Sequence, residues 1–84
     1  MTVTEMKQNF VKDELTAVLK KLDKRILCAE YEQQDGEEFV YVYEKILNER
    51  CKIVKGRKIF TACVTADSLG AIVTDVLRAG DYGV

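Results

Sequence analysis

The chain has 84 residues, of which 48% are hydrophobic and 32% are charged, and its formal net charge is −1. A chain of this length can build one hydrophobic core, so we expect a single domain over residues 1–84. Its apolar content is enough to offset the ordering entropy of folding, which disfavours a disordered protein. Residues 1–10 lack the apolar run of a signal peptide, and no segment is long enough to span a bilayer. We therefore expect a soluble cytoplasmic protein without a membrane partner.

The cysteines argue against a disulfide framework, a metal site and an enzyme. Cys28, Cys51 and Cys63 are odd in number and dispersed, and the chain has no histidine. A zinc site needs four clustered ligands, so we expect no metal and no cofactor. We predict reduced thiols buried in the core, where burial raises the thiol pKa and makes the group inert. Because histidine, the commonest general base, is absent, we predict that the protein is not an enzyme.

The N-terminal segment has the pattern of a one-sided helix. Thr2 and Glu5 have the spacing of a capping box, and Met1 and Met6 are placed to form a hydrophobic staple around the cap. Apolar residues then recur every three or four positions, as on the buried face of a helix. They are Val11, Leu15, Val18, Leu19 and Leu22.

The middle of the chain predicts a hairpin followed by an ambiguous segment. Residues 25–33 alternate in character, Gln34-Asp35-Gly36 is a turn signal, and residues 38–44 are rich in β-branched and aromatic side chains. Residues 45–56 fit either a helical face or a short strand with a turn at Lys55-Gly56. We favour the strand, because residues 57–64 have a strong strand pattern that needs a neighbour.

The last segment predicts a second helix. Asp67 or Ser68 is its N-cap, and Gly80 is placed to end it as a C′ residue. Its buried face consists of Leu69, Ile72, Val73, Val76 and Leu77. Free amides at the helix start can hold a phosphate, although we favour a simple capped start. Residues 81–84 are expected to fray.

These elements predict an α+β fold in the order α-β-β-β-(β)-α. The N- and C-terminal helices pack on one face of a three- to four-stranded antiparallel sheet. Two sheet edges then remain open to pairing with another chain.

Charge is segregated along the chain. Residues 29–44 contain six acidic residues and no basic ones, whereas residues 45–58 contain six basic residues against Glu49 alone. Three interpretations follow. Neighbouring strands neutralise each other; an acidic face with tyrosines binds a protein; or a basic hairpin over residues 50–58 binds nucleic acid.

The candidate binding residues divide in the same way. Those predicted to contact a protein partner are Glu30, Tyr31, Glu32, Asp35, Glu37, Glu38, Tyr41 and Tyr43. Those predicted to contact nucleic acid in the alternative interpretation are Arg50, Lys52, Lys55, Arg57 and Lys58.

The stretch FTACVTADSLGAIVTDVLRAG, residues 60–80, resembles the C-terminal strand-helix unit of small uncharacterised proteins encoded by Firmicutes and their prophages. The resemblance covers about a quarter of the chain and carries no catalytic signature. It implies a phage or mobile-element setting, in which proteins of this size often act by stoichiometric binding to a host protein. Inhibitors of CRISPR nucleases belong to that group.

We therefore expect a non-enzymatic small binding protein, derived from a phage or mobile element, that binds a host protein through the hairpin of residues 30–44. An anti-CRISPR type of inhibitor is one form of this expectation. A small nucleic-acid-binding protein that uses the basic 50–58 hairpin is the first alternative. A homodimer built by pairing sheet edges is the second.

Overall fold

The computed structural model describes residues 1–83 and contains three strands in the order β1-β2-β3, all antiparallel. The α+β class and the antiparallel sheet predicted from the sequence are confirmed. None of the helices in this part of the chain is long and apolar enough to cross a membrane. The elements are α1 Val3–Phe10, a π-helical turn Val11–Leu15, α2 Thr16–Leu22, β1 Ile26–Gln34, β2 Glu37–Leu47, β3 Ile53–Cys63 and α3 Leu69–Ala79.

The ambiguous segment is divided between two long strands. Residues 45–47 continue β2, residues 48–52 form the connecting turn, and β3 begins at Ile53. The predicted turn at Lys55-Gly56 is wrong, because both residues lie inside β3. The turn instead forms where Asn48 Oδ1 accepts backbone hydrogen bonds from Arg50 at 2.8 Å and Lys52 at 3.0 Å.

One hydrophobic core joins the helices to the strands. Val40 and Val42, alternate residues of the central strand, are fully buried in it. The helical segments contribute Val11, Leu15, Leu19, Ile72 and Val76, and the flanking strands contribute Ile26, Ala29, Tyr31 and Ala62, with Val64 directly after β3. Burial of each of the larger aliphatic side chains stabilises the fold by about 1.5–3 kcal/mol.

The N-terminal helix begins as predicted but turns a narrower stripe towards the core. The capping box is present, with Glu5 N donating to Thr2 Oγ1 at 3.1 Å. Val18 and Leu22, which were expected in the core, are exposed. The π-helical turn widens the helix, so that residues exactly four apart, such as Val11, Leu15 and Leu19, lie in one buried line. The positions beside that line face outwards.

Thr16 fixes this helix to the outer edge of β1. Its hydroxyl donates to the Val11 carbonyl at 2.9 Å and accepts from the Ala29 amide at 2.9 Å. The same Val11 carbonyl also accepts from the Thr16 backbone amide, which is the i+5 bond of the widened turn. An edge amide that would otherwise be open to another strand is thereby occupied.

The end of the chain is more ordered than the sequence predicts. Ser68 is the N-cap of α3, and Gly80 ends the helix as predicted, although as the C-cap with φ −85° rather than as the C′ residue. A Cβ on Gly80 would clash with the rings of Tyr82 and Phe60, so glycine is needed there for close approach. The Tyr82 hydroxyl donates to Asp23 Oδ2 at 3.0 Å, which contradicts fraying at this residue. Val84, part of the predicted tail, lies outside the described residues.

The pairing of β2 with β3 is shifted twice around Tyr43. The shifts lie between Val42 and Tyr43 and between Tyr43 and Lys45, each with one extra residue on β3. Beyond this point β1 has ended, so residues 45–47 and 53–55 form a two-stranded ribbon.

Gly56→Ala should destabilise this pairing. The added Cβ would lie 2.6 Å from Glu44 Cγ and 2.9 Å from Ile46 Cγ2. We expect the free energy of unfolding, measured by urea denaturation, to fall by about 1–2 kcal/mol. Gly70→Ala in α3 is the matched control: its Cβ meets nothing within 4 Å, and it should gain about 0.5–1 kcal/mol. Equal stability of Gly56→Ala and the wild type would contradict the close packing.

Candidate functional site

The central strand presents aromatic side chains on the face opposite the core. Phe39, Tyr41 and Tyr43 alternate with the buried Val40 and Val42, so they point away from the core. All three are half-buried, and the rings of Phe39 and Tyr41 stack with centroids 6.2 Å apart. We call this side of the sheet the tyrosine face.

The tyrosine face brings together the two groups of residues that the sequence analysis separated. In β1, the partners of Phe39, Tyr41 and Tyr43 are Glu32, Glu30 and Cys28. In β3, their partners are Cys63, Thr61 and Lys58. Two carboxylates, Glu30 and Glu32, therefore lie on one side of the aromatic stripe, and Lys58 lies on the other.

Two lysines of the predicted nucleic-acid site lie over tyrosine rings. Lys58 Nζ is 4.0 Å from the Tyr41 ring centroid, and Lys55 Nζ is 4.4 Å from that of Tyr43. Cations in this position are attracted by the negative face of the ring. These ammonium groups therefore cover part of the surface on which a nucleobase would stack.

Two ion pairs link the acidic segment to the basic one. Lys55 Nζ lies 3.0 Å from Glu30 Oε2, and Arg57 Nε lies 3.3 Å from Glu44 Oε1. The hydrogen bond with Glu30 raises the pKa of Lys55, and hydrogen bonds from Arg57 lower the pKa of Glu44. Because the pairs are exposed, each contributes little to stability. They are nevertheless the cross-strand neutralisation that the charge pattern allows.

The charges left over lie at the two ends of the sheet. Glu32, Asp35 and Glu37 are exposed near the β1–β2 turn, without an ion pair among residues 1–83. Around the β2–β3 turn, Lys45, Arg50 and Lys52 are exposed in the same way. In a meander these two turns lie at opposite ends of β2. The unpaired charges at the β1–β2 end of the sheet are therefore acidic, and those at the β2–β3 end are basic apart from Glu49.

Exposed aliphatic residues continue the aromatic stripe to the basic end. Leu47 is 68% exposed and Ile53 58% exposed, and the two are partners across the ribbon. Alternation along β2 places Leu47 on the same face as Tyr43. The apolar stripe thus extends along the strand from Phe39 to Leu47, with Lys45 as the one charged residue within it.

Tyr31 and Glu38, two of the predicted partner-binding residues, lie on the core side. Tyr31 is only 4% exposed, and its hydroxyl donates to the Glu38 carboxylate. Lys7 Nζ donates to Glu38 Oε1 at 2.6 Å, and the Ala66 amide donates to Oε2 at 2.8 Å. Burial first, and then the bond to Glu38, raise the pKa of Tyr31 to about 12. Both side chains are therefore engaged inside the molecule.

The same contact occupies one backbone amide of the segment before the last helix, which the sequence analysis considered for an anion. The Ala66 amide is bound by Glu38, and the Ala71 amide donates to the Ser68 hydroxyl at 3.2 Å. Ala66 has φ +62°, which turns its amide towards the carboxylate. The chain itself supplies the negative charge that a phosphate would have brought.

Asp67 and Asp75 form a second carboxylate contact beside this network. Asp67 Oδ2 is buried and finds no donor among the described groups. The hydrogen bond with Asp75, followed by burial, raises the pKa of Asp67 to about 6. A proton on one of the carboxyls supplies the missing donor, so the contact is most favourable in acid.

The cysteine prediction is largely wrong. Cys51 lies exposed in the β2–β3 turn with φ +60°, and Cys63 is exposed on the tyrosine face. Cys28 is half-buried, and burial raises the pKa of its thiol. Within residues 1–83, no three histidine, cysteine, aspartate or glutamate side chains are grouped to hold a metal ion.

Sequence reasoning missed the lysine that neutralises Glu38. Lys7 is buried, and it stands four residues before Val11 on the line of Val11, Leu15 and Leu19. A charged residue on a buried stripe is the signal that an internal partner exists.

The chain was compared with models of known protein families, with characterised proteins and with solved structures, and none matched.

Glu38→Gln should lower stability at neutral pH and change its pH dependence. The bond from Lys7 is the main reason that the pKa of Glu38 falls from 4.5 to about 2. Since the folded-state pKa is the lower one, this stabilisation is present above pH 4.5 and is lost as the pH falls towards 2. We expect a loss of about 2–3 kcal/mol at pH 7, because Lys7 keeps its burial without a countercharge.

Urea denaturation at pH 7 and pH 3 measures this effect. The difference between wild type and Glu38→Gln should shrink at the lower pH. Glu32 is an exposed carboxylate on the tyrosine face, so Glu32→Gln should have the same free energy of unfolding as the wild type at both pH values. An equal loss for Glu38→Gln at both values would contradict the ion-pair mechanism.

Asp67→Asn should stabilise the protein at pH 7.5. The folded-state pKa of Asp67 is raised from 3.8 to about 6, so its favourable contribution is complete in acid and is lost as the pH rises through 6. The amide donates to Asp75 at every pH and removes the repulsion. Urea denaturation should therefore show a gain at pH 7.5 that shrinks by pH 4. A gain of the same size at both, or in the exposed control Asp13→Asn, would contradict this reasoning.

Proposed function

We propose that this protein is a non-enzymatic binding module that binds a host protein stoichiometrically through the tyrosine face. In this proposal the N-terminal helical segment and α3 both pack on the core side of the sheet, which leaves the tyrosine face open. The observation that carries the proposal is the apolar stripe of Phe39, Tyr41, Tyr43 and Leu47 along the central strand, which only Lys45 interrupts.

The composition of the stripe supports binding to a protein. Tyrosine combines a large apolar surface with a polar hydroxyl, and it is enriched among the residues that dominate interface energies. Tyr41 and Tyr43 are half-buried by their neighbours, so binding orders side chains that are already restricted. An apolar patch with charged residues at its rim is typical of an interaction site.

The core side supports the arrangement of the helices. Val40 and Val42 share one cluster with Leu15 and Leu19 of the N-terminal helical segment and Ile72 of α3. An antiparallel sheet commonly packs one face on its core and leaves the other exposed. The tyrosine face is then the side available to a partner.

The electrostatic part of the proposal is narrower than the sequence alone suggests. Glu30, Glu38 and Glu44 are paired with Lys55, Lys7 and Arg57, which leaves Glu32, Asp35 and Glu37 for a basic partner. A full mimic of DNA needs more free negative charge. Inhibition of a CRISPR nuclease, and the cytoplasmic phage setting, are supported only by the resemblance of residues 60–80.

The nucleic-acid alternative has weaker support from the geometry. Among its five predicted residues, Lys55, Arg57 and Lys58 are already engaged by Glu30, Glu44 and the Tyr41 ring. Arg50 and Lys52 are exposed at the turn and are available to phosphates. Binding through them would weaken steeply with salt, in proportion to the phosphates contacted.

Dimerisation by pairing of sheet edges also has weaker support. The free edge strand β3 carries Lys55, Arg57 and Lys58, which would repel their copies in a second β3. On the other edge, the Thr16 hydroxyl occupies the amide of Ala29. Both edges therefore disfavour another strand.

A double variant on the tyrosine face tests the proposal. Tagged wild type and Tyr41→Ala/Tyr43→Ala are incubated with nuclease-treated lysate of a Firmicutes bacterium, and captured proteins are identified by mass spectrometry. We expect one stoichiometric partner for the wild type and at least tenfold weaker capture for the variant, since truncated interface aromatics typically cost about 2 kcal/mol or more. Lys21→Ala, exposed on α2, should bind like the wild type.

Circular dichroism and urea denaturation show whether the variants remain folded. Capture that is equal for the wild type and the folded tyrosine variant would contradict the proposal. Loss of every partner on nuclease treatment would favour the nucleic-acid alternative instead.

A further inference from the structure

The tyrosine face carries opposite charges at its two ends. Glu32 and Glu37 lie on it at the acidic end, by alternation along β1 and β2. Lys45 lies on it at the other end, next to Arg50 and Lys52 in the exposed turn. A surface of this kind matches its own copy when one copy is turned end for end.

The middle of the face is close to neutral. Glu30 and Lys55 neutralise each other there at 3.0 Å, and Tyr43 lies beneath the lysine. Lys58, the β3 partner of Tyr43, is the charge at the middle that has no ion pair among residues 1–83. Its ammonium lies 4.0 Å from the Tyr41 ring centroid, and this attraction partly offsets its repulsion of the Lys58 of a second copy. The attraction between the two copies then comes from the opposite charges at the ends and from the apolar stripe.

We infer that the tyrosine face binds a second copy of this chain, in an antiparallel face-to-face dimer. The inference rests on the proposed function in that it takes this face to be a protein-binding surface. The two-fold axis lies perpendicular to β2 near its middle. Phe39 of each copy then lies over Leu47 of the other, and Glu37 lies close to the basic turn of the other copy.

The opposite arrangement is unfavourable. An axis along β2 would place the Asp35 and Glu37 end over the same end of the second copy, and the basic turn over the basic turn. Juxtaposed like charges oppose association, and the penalty grows as water is excluded. In the end-for-end arrangement the Asp35 and Glu37 end of each copy faces the basic turn of the other, so the contacts at both ends are attractive.

The size of the face predicts a weak and reversible dimer. An eleven-residue strand is about 35 Å long, and three strands are about 14 Å wide. The footprint of roughly 500 Å² per copy gives a total near the lower limit for a specific interface. Because a host protein would use the same side chains, its binding and self-association exclude each other.

Charge reversal at one end at a time tests the arrangement. The first variant is Glu32→Lys/Glu37→Lys, and the second is Lys45→Glu/Arg50→Glu/Lys52→Glu. Each variant alone carries the same sign at both ends, so its dimer dissociation constant should rise at least tenfold. An equal mixture of the two should restore a dimer with one copy of each, as measured by light scattering after size exclusion and by native mass spectrometry.

The outcomes separate this inference from the proposed function. A wild type that is monomeric at the highest concentration measured, a dimer indifferent to both reversals, or folded variants that fail to rescue each other would overturn the inference. A monomer with a partner that depends on Tyr41 and Tyr43 would leave the proposed function standing. A rescued dimer without any host partner would support the inference and contradict the proposed function.

Discussion

The carboxylate of Glu38, which is largely enclosed, makes the interactions on which the rest of the structure depends. It lies at the start of β2 and binds Lys7 of α1, Tyr31 of β1 and the Ala66 amide before α3. One side chain therefore holds two helical segments and the adjacent strand in register with the central strand. Since β2 alternates strictly, fixing Glu38 on the core side also fixes which tyrosines point outwards.

Local patterns in the sequence predicted much of the fold and less of the site. The capping box, the hairpin turn at Gly36 and the buried stripe of α3 follow from short-range spacing, and the structure contains them. The continuation of β2 through Leu47 does not follow from such spacing. The apolar residues of this segment fit an exposed strand as well as they fit one face of a helix. Contacts such as Lys7 with Glu38 join residues 31 positions apart, so no window of sequence contains them.

The parts of the candidate site that depend on local spacing were predicted from the sequence, and those that depend on long-range contacts were not. Tyr41 and Tyr43 share a face because strand periodicity is local, and that periodicity also separates Tyr31 from Glu30 once the register is known. The sequence could not show that the acidic and basic segments flank one strand. Lys55 meets Glu30 only because β1 and β3 both border β2 on a sheet of three strands.

The two register shifts around Tyr43 have a mechanical consequence. Each shift interrupts the ladder of hydrogen bonds between β2 and β3 and increases the local twist. The sheet is therefore stiff as far as Tyr43 and Glu44, which still pair with β1, and more compliant beyond them, where the ribbon leaves the body. Leu47 and Ile53 stand on the far side of this joint, so a small bend carries them several times farther than the residues beside Tyr43. The tip can thus adjust to a curved or uneven surface while the aromatic rings of Phe39 and Tyr41 keep their spacing.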